Sequence, residues 1–188
     1  MRIEGKKLKK VSNKVNILES IDISISSDSI YGLLGPNGAG KTSLFSILAG
    51  LSKPSEGEVL YDSKIVNNLS FEKRSELGVI YLPQEPSVFR ELTVEENIKA
   101  ALEAKKFEKK EIDNKFTRIS EEFDLMGIKT QKCNSLSGGQ RRRVEIARAI
   151  ALNPKLILLD EPFAGIDPLI INEIKTLIKN LKEKGIGV

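Results

Sequence analysis

Apolar positions recur along this chain at two different spacings, and the spacing changes with place. Residues 1 to about 84 alternate short apolar strands with turns. Within them Ser29-Ile30-Tyr31-Gly32-Leu33-Leu34 reads as a buried strand, and Leu44, Ile47, Leu48 and Leu51 recur at helical spacing just after it. From about Thr93 to Ile128 the chain becomes charged and helical, without proline, and Thr93 precedes a Glu-rich first turn as a cap would. Ser137 opens a second capped helix with a stripe through Val144, Ala147 and Ile150. Leu156 to Leu159 form another short buried strand. A last amphipathic helix runs through Ile170, Ile171, Ile174, Leu177, Ile178 and Leu181 and ends at Gly185. The pattern predicts an α/β fold in one domain of residues 1–188. Its core is expected from residues 1–92 and 144–188, with a helical subdomain at 93–143.

Composition narrows this further. The chain has 188 residues, 40% of them hydrophobic, which suits one core-forming α/β unit. No run approaches the ~18–20 apolar residues of a membrane-spanning helix, so a membrane role would come through partners. The single cysteine, Cys133, forms no internal disulfide, which fits a reducing cytosol, and with no histidine present no zinc site is plausible. The net charge of +4 is mild, and its lysine clusters read as solvated faces.

Three segments carry chemistry. Gly35-Pro36-Asn37-Gly38-Ala39-Gly40-Lys41-Thr42 fits G-x-x-x-x-G-K-[ST], between a predicted strand and a predicted helix. Such glycines let backbone N–H groups wrap phosphates, the lysine neutralises their charge, and the hydroxyl of Thr42 is placed for Mg²⁺. The helix start that includes Ser43 adds its positive end. Asp160 and Glu161 close the strand Leu156–Leu159, and strand alternation sends them in different directions. Asp160 is expected to reach the metal shell, and Glu161 to polarise the attacking water. Ser137-Gly138-Gly139-Gln140 supplies a second anion-binding helix start, its two glycines allowing close approach of a phosphate. Arg141, Arg142 and Arg143 point three ways on a helix and read as ion-pairing positions rather than a nucleic-acid surface.

These segments, with Tyr81-Leu82-Pro83-Gln84 between them and Gly165-Ile166-Asp167-Pro168 after them, resemble an ATP-binding cassette (ABC) ATPase over essentially the whole chain. Within that family, the stretches Leu82–Val94, Ser135–Ala149 and Phe163–Pro168 are similar to the ATPase subunit of the lipopolysaccharide export system of Gram-negative bacteria. The resemblance implies a P-loop NTPase core with an inserted helical subdomain. It also implies a homodimer that hydrolyses ATP with Mg²⁺ on the cytoplasmic face of the inner membrane. Gln84 would sense magnesium and γ-phosphate, Ser137 to Gln140 would contact the ATP held by the partner, and Asp167 would cross the dimer interface. Phe89 and Arg90 fall where such ATPases receive integral membrane permease subunits. Catalytic roles are thus expected of Glu161, Gln84 and Lys41, and metal contacts of Thr42, Gln84 and Asp160.

Two departures stand out. The aromatic residue that stacks on adenine in the family has no counterpart in Leu8 to Val15, where Val15 or the stem of Lys14 would substitute. The histidine that contacts the γ-phosphate is absent, and Gly185-Ile186-Gly187-Val188 falls where its strand would begin, which predicts a C-terminally truncated sequence. A natural product of this length would bind ATP with poor turnover. The alternatives are an importer ATPase for branched-chain amino acids or urea, a cassette protein of translation or DNA repair, and an ATP-binding switch with little turnover. The short spacing between P-loop and signature excludes the long coiled coil of repair ATPases, and translation factors usually carry two cassettes.

Overall fold

A computed structural model describes residues 1–188, the side chain of Leu169 excepted. The chain divides into two compact units. The first holds Met1–Tyr81, Lys155–Asp160 and Leu181–Val188, and the second holds Leu82–Pro154 and Glu161–Asn180.

In the first unit, β1 (Arg2–Ser12) and β2 (Val15–Ser26) form a long antiparallel hairpin. Asn13 and Lys14 between them both have positive φ, the backbone that suits a two-residue hairpin turn. β3 (Glu56–Tyr61) pairs with the other edge of β1, and the two-residue β4 (Lys64–Ile65) closes a sheet of order β2-β1-β3-β4. These first strands are longer than the short runs the sequence suggests. An irregularity between Gly5 and Leu8, with Lys7 at positive φ, explains why alternation hides them: it restores Leu8 to the buried face after two exposed lysines. Helix α1 (Lys41–Ala49) buries Leu44, Ile47 and Leu48 in one core with Ile3, Leu18, Val59 and Tyr61. Leu51, expected on that helix, lies past its end and is exposed, because the helix stops at Gly50.

That end is held by a residue from α2 (Phe71–Glu76). Arg74, 1% exposed, donates from Nη1 to the carbonyls of Ile47 (2.8 Å) and Leu48 (3.0 Å), and from Nη2 to Val66 (2.8 Å). A buried cation thus meets the negative end of the P-loop helix, satisfying carbonyls that have no partner within the helix. Tyr61 donates to the same Leu48 carbonyl, and Arg74 sits over its ring at 5.7 Å.

β5 (Val79–Leu82) and β6 (Leu156–Leu159) form a second sheet, and Val79, Leu156 and Leu158 belong to the same core. On its other edge β6 bridges Gly187 in parallel, and Val188 in turn exchanges hydrogen bonds with Ser29 and Tyr31. The expected buried strand Ser29–Leu34 is therefore corrected. Only this short ladder forms there, and beyond it Leu33 and Leu34 are exposed, Leu34 at 92%. An apolar run needs partners on both edges to become a buried strand, and among the described residues Leu33 and Leu34 have no such ladder.

The second unit is mostly helical. α3 (Val94–Ala104) begins with a reciprocal capping box, Thr93 and Glu96 each bonding the other's backbone N–H. It packs beside α4 (Lys109–Glu122) and α5 (Gly138–Ala151). α5 is buried on more sides than its predicted stripe, hiding Arg142, Glu145 and Ile146 as well as Val144 and Ala147. α6 (Pro168–Glu183) follows, with Ile174, Ile178 and Leu181 buried and Gly185 at φ +77° just past its end. Among the described residues no helix is long and apolar enough to cross a membrane.

Candidate active site

Residues Gly35 to Ala39 form an exposed loop that turns into α1 at Gly40, where φ is +87°. A Cβ at Gly40 would lie 2.8 Å from the Ile17 carbonyl oxygen and 2.8 Å from Leu18 Cδ2, so only glycine lets the loop lie this close to β2. α1 has neither a side-chain cap nor an acidic residue in its first turn. The N–H groups of Lys41, Thr42 and Ser43 are left without intrahelical partners at the positive end of the helix. Lys41 Nζ reaches back to the carbonyl oxygens of Gly35 (2.8 Å) and Pro36 (2.9 Å), both neutral acceptors. Uncapped donors, a cation and an open, glycine-shaped loop fit a phosphate chain.

In the same unit, β6 delivers Asp160 at 2% exposure. Its carboxylate accepts a hydrogen bond from the Tyr81 hydroxyl at 3.1 Å, and that hydroxyl also bonds Ser46 of α1. Burial, reinforced by the neighbouring Asp160 charge, pushes the Tyr81 phenol up to about 12, so it stays protonated and donates. Sequence reasoning quoted Tyr81 within Tyr81-Leu82-Pro83-Gln84 but gave it no role, because its partner Asp160 is 79 residues away.

Among the described residues no group of three or more His, Cys, Asp or Glu side chains gathers as a metal cage. A magnesium ion bound with a nucleotide needs none, since phosphates and waters fill most of its shell. The Thr42 hydroxyl and the Asp160 carboxylate are hard oxygen donors of the type it takes. Asp160 and Glu161 do not extend the strand as expected: β6 ends at Leu159, and Glu161 is exposed in a bend with φ +44°, outside the alternation of a strand.

The second unit holds Gln84, Glu161 and the signature segment. Gln84 is exposed on the irregular stretch between β5 and α3. Ser137 and Gln140 form a capping box. The Ser137 hydroxyl accepts from the Gln140 N–H (3.2 Å), and the Gln140 side chain accepts from the Ser137 N–H (3.0 Å). Gly138 is exposed. Gly139, expected to open the helix start, is buried instead, and a Cβ there would lie 2.7 Å from Ile170 Cγ2. Its lack of a side chain serves the packing of α6 on α5.

The arginine run resolves unevenly. Arg142 makes a buried ion pair with Glu145 at 2.8 Å, and Arg143 pairs with Asp124 at 3.1 Å. Glu145 also accepts from the Ser87 N–H at 2.7 Å, while Arg148 donates to the Ser87 carbonyl at 2.5 Å and lies over the Phe89 ring at 4.7 Å. From α3, fully buried Asn97 accepts from the Phe89 N–H (2.9 Å) and donates to the Phe89, Leu92 and Thr93 carbonyls. Phe89 itself is 51% exposed.

Residues 18–164 match the family described as ABC transporter. The chain belongs to that family. It is 45% identical over 173 residues to the lipopolysaccharide export system ATP-binding protein LptB of Haemophilus influenzae, covering 92% of this chain and 72% of that protein. With the protein of the same name from Escherichia coli K12 it shares 41% identity over 187 residues, 99% of this chain and 78% of the relative. Among solved structures, a nucleotide-free ATP-binding cassette from an ABC transporter superposes with a TM-score of 0.86 at 30% identity, covering 100% of this chain and 79% of that one. A dimeric cassette in a post-hydrolysis state bound to ADP and Pi matches with a TM-score of 0.84 at 29% identity, covering 99% and 85%. The protein is therefore a nucleotide-binding ATPase coupled to transport, with the α/β cassette fold expected from its motifs.

Proposed function

We propose that this cassette powers export of lipopolysaccharide from the inner membrane, as a homodimer bound at the cytoplasmic face to integral membrane subunits. The relatives named for that system match nearly the whole chain, which favours this cargo over the importer alternative. The observation that carries the chemistry is the uncapped start of α1 beside an open loop, in the unit that also presents buried Asp160.

Two copies close head to tail over two ATP molecules, each P-loop completed by Ser137 to Gln140 of the other copy. Backbone N–H groups from Gly35 to Ser43 hold the β- and γ-phosphates, and Lys41 leaves the Gly35 and Pro36 carbonyls to neutralise them. A bound Mg²⁺, taken by Thr42, Asp160 and Gln84, would offset the negative charge that develops on the phosphates. Glu161, exposed beyond the strand end, orients the attacking water and accepts its proton. The domain limits follow the same logic: 1–92 and 144–188 serve as the catalytic core and 93–143 as the helical subdomain that carries the signature. The membrane subunits seat at Phe89 and Arg90.

Glu161→Gln should keep ATP binding and trap the closed dimer, read as a shift to dimer on size-exclusion chromatography with ATP. Normal hydrolysis by that variant would remove Glu161 from its role.

A further inference from the structure

We propose that Arg148 and Glu145 are positioning residues that tie the Phe89 loop to helix α5, so that this loop and the signature start of the helix move as one piece. The proposal rests on the reading of Phe89 as the seat of the membrane subunits. All the groups involved lie in the second unit.

The loop from Pro83 to Leu92 has no regular secondary structure, yet its backbone is held by α3, by α5 and by the N–H groups of Cys133 and Asn134, which donate to the Leu92 and Arg90 carbonyls. Asn97 on α3 makes three of its hydrogen bonds to Phe89 and Leu92, enough to fix the local shape of the loop. The ties from α5 fall earlier in the loop, a 3.4 Å bond from Arg142 to the Pro83 carbonyl and two bonds on Ser87. Glu145 takes its N–H, and Arg148 takes its carbonyl and lies over the Phe89 ring. Glu145 is in turn fixed by its buried pair with Arg142. These bonds therefore add a connection to a particular helix rather than local order. That helix begins at the capping box of Ser137 and Gln140. Arg148 is eleven residues further on, roughly 16 Å along the axis at the α-helical rise. A continuous helix with buried sides transmits a displacement of one end to the other with little bending. Movement at the signature start would thus reach the Phe89 ring directly, and force on that ring would return by the same route.

The test uses the protein assembled with its membrane subunits, and reads ATP hydrolysis with and without them. Arg148→Met removes the charge over Phe89 and the bond to Ser87 but leaves the Asn97 bonds. Glu145→Gln keeps an acceptor and the side-chain volume but drops the charge. Both variants should keep KM and kcat of the ATPase alone within about twofold and still co-purify with the membrane subunits. Stimulation by those subunits should fall about tenfold in Arg148→Met, the scale of losing a charged hydrogen bond and a cation–π contact. Arg148→Lys should recover part of it. Stimulation unchanged in every variant that folds would overturn the proposal, as would basal and stimulated rates falling in equal proportion, the mark of a merely structural role. Phe89→Ala tests the underlying reading separately. If it assembles and is stimulated normally, Phe89 is not the seat, whatever Arg148 does.

Discussion

The hydroxyl of Tyr81 donates to the carboxylate of Asp160 at 3.1 Å, joining the end of β5 to the residue that follows β6. Tyr81→Phe keeps the ring and removes the donor, leaving a buried carboxylate short of a partner. The expected cost is about 1 kcal/mol of stability, together with a higher Mg²⁺ requirement for hydrolysis. Urea unfolding and a Mg²⁺ titration of the ATPase rate check the two parts.

The same pair sets behaviour at high pH. Tyr81 is raised to about 12 by burial and by Asp160, and Tyr61 to about 12 by burial that Arg74 partly offsets. A phenol whose folded value exceeds its ordinary 10.0 holds its proton more tightly when folded. Its contribution is complete below pH 10 and is lost as pH rises towards 12. Stability should therefore fall across that interval, with buried Tyr61 contributing on the order of 2 kcal/mol. Urea midpoints at stepped pH should show the fall, and Tyr61→Phe should flatten it.

Arg74→Met would fill similar space while taking one donor each from the Ile47, Leu48 and Val66 carbonyls, which keep only the Gly50 N–H, the Tyr61 hydroxyl and the Leu69 N–H. The loss should be about 3 kcal/mol, at the upper end for a buried charged donor with several acceptors. Chemical denaturation measures it. Because the Ile47 and Leu48 carbonyls end the P-loop helix, nucleotide affinity measured by fluorescence should fall as well.

Gly139→Ala would place a methyl group 2.7 Å from Ile170 Cγ2. Overpacking of this kind costs about 1–3 kcal/mol. Pairing it with Ile170→Val should recover part of the lost melting temperature, whereas Gly138→Ala should cost less because its methyl group would meet only the Gly165 carbonyl oxygen, at 3.3 Å.

Local signals in the chain were legible because their partners are near in sequence. The loop and its helix, the capping boxes at Thr93 and Ser137, and the four-residue strand before Asp160 each announce themselves within a few residues. What stayed hidden depends on distant partners. Arg74 sits in a charged stretch and looks like a surface residue until the end of α1, some 26 residues earlier, supplies its acceptors. Tyr81 needs Asp160, 79 residues on, and Glu145 needs Ser87, 58 residues back. The apolar run Ser29–Leu34 misled in the opposite sense. Its composition suits a buried strand, but burial belongs to the neighbours rather than to the run.

The loop around Phe89 carries one more consequence, concerning time rather than shape. Segments without helix or strand ordinarily exchange their amide hydrogens quickly, because nothing holds them closed. Here the Ser87 N–H is bound to Glu145, the Phe89 N–H to Asn97, and the Leu92 N–H to the Phe89 carbonyl. The Ser87 and Phe89 amides should open only when α5 or α3 itself loosens, so an irregular surface loop would keep the slow clock of the helices beneath it.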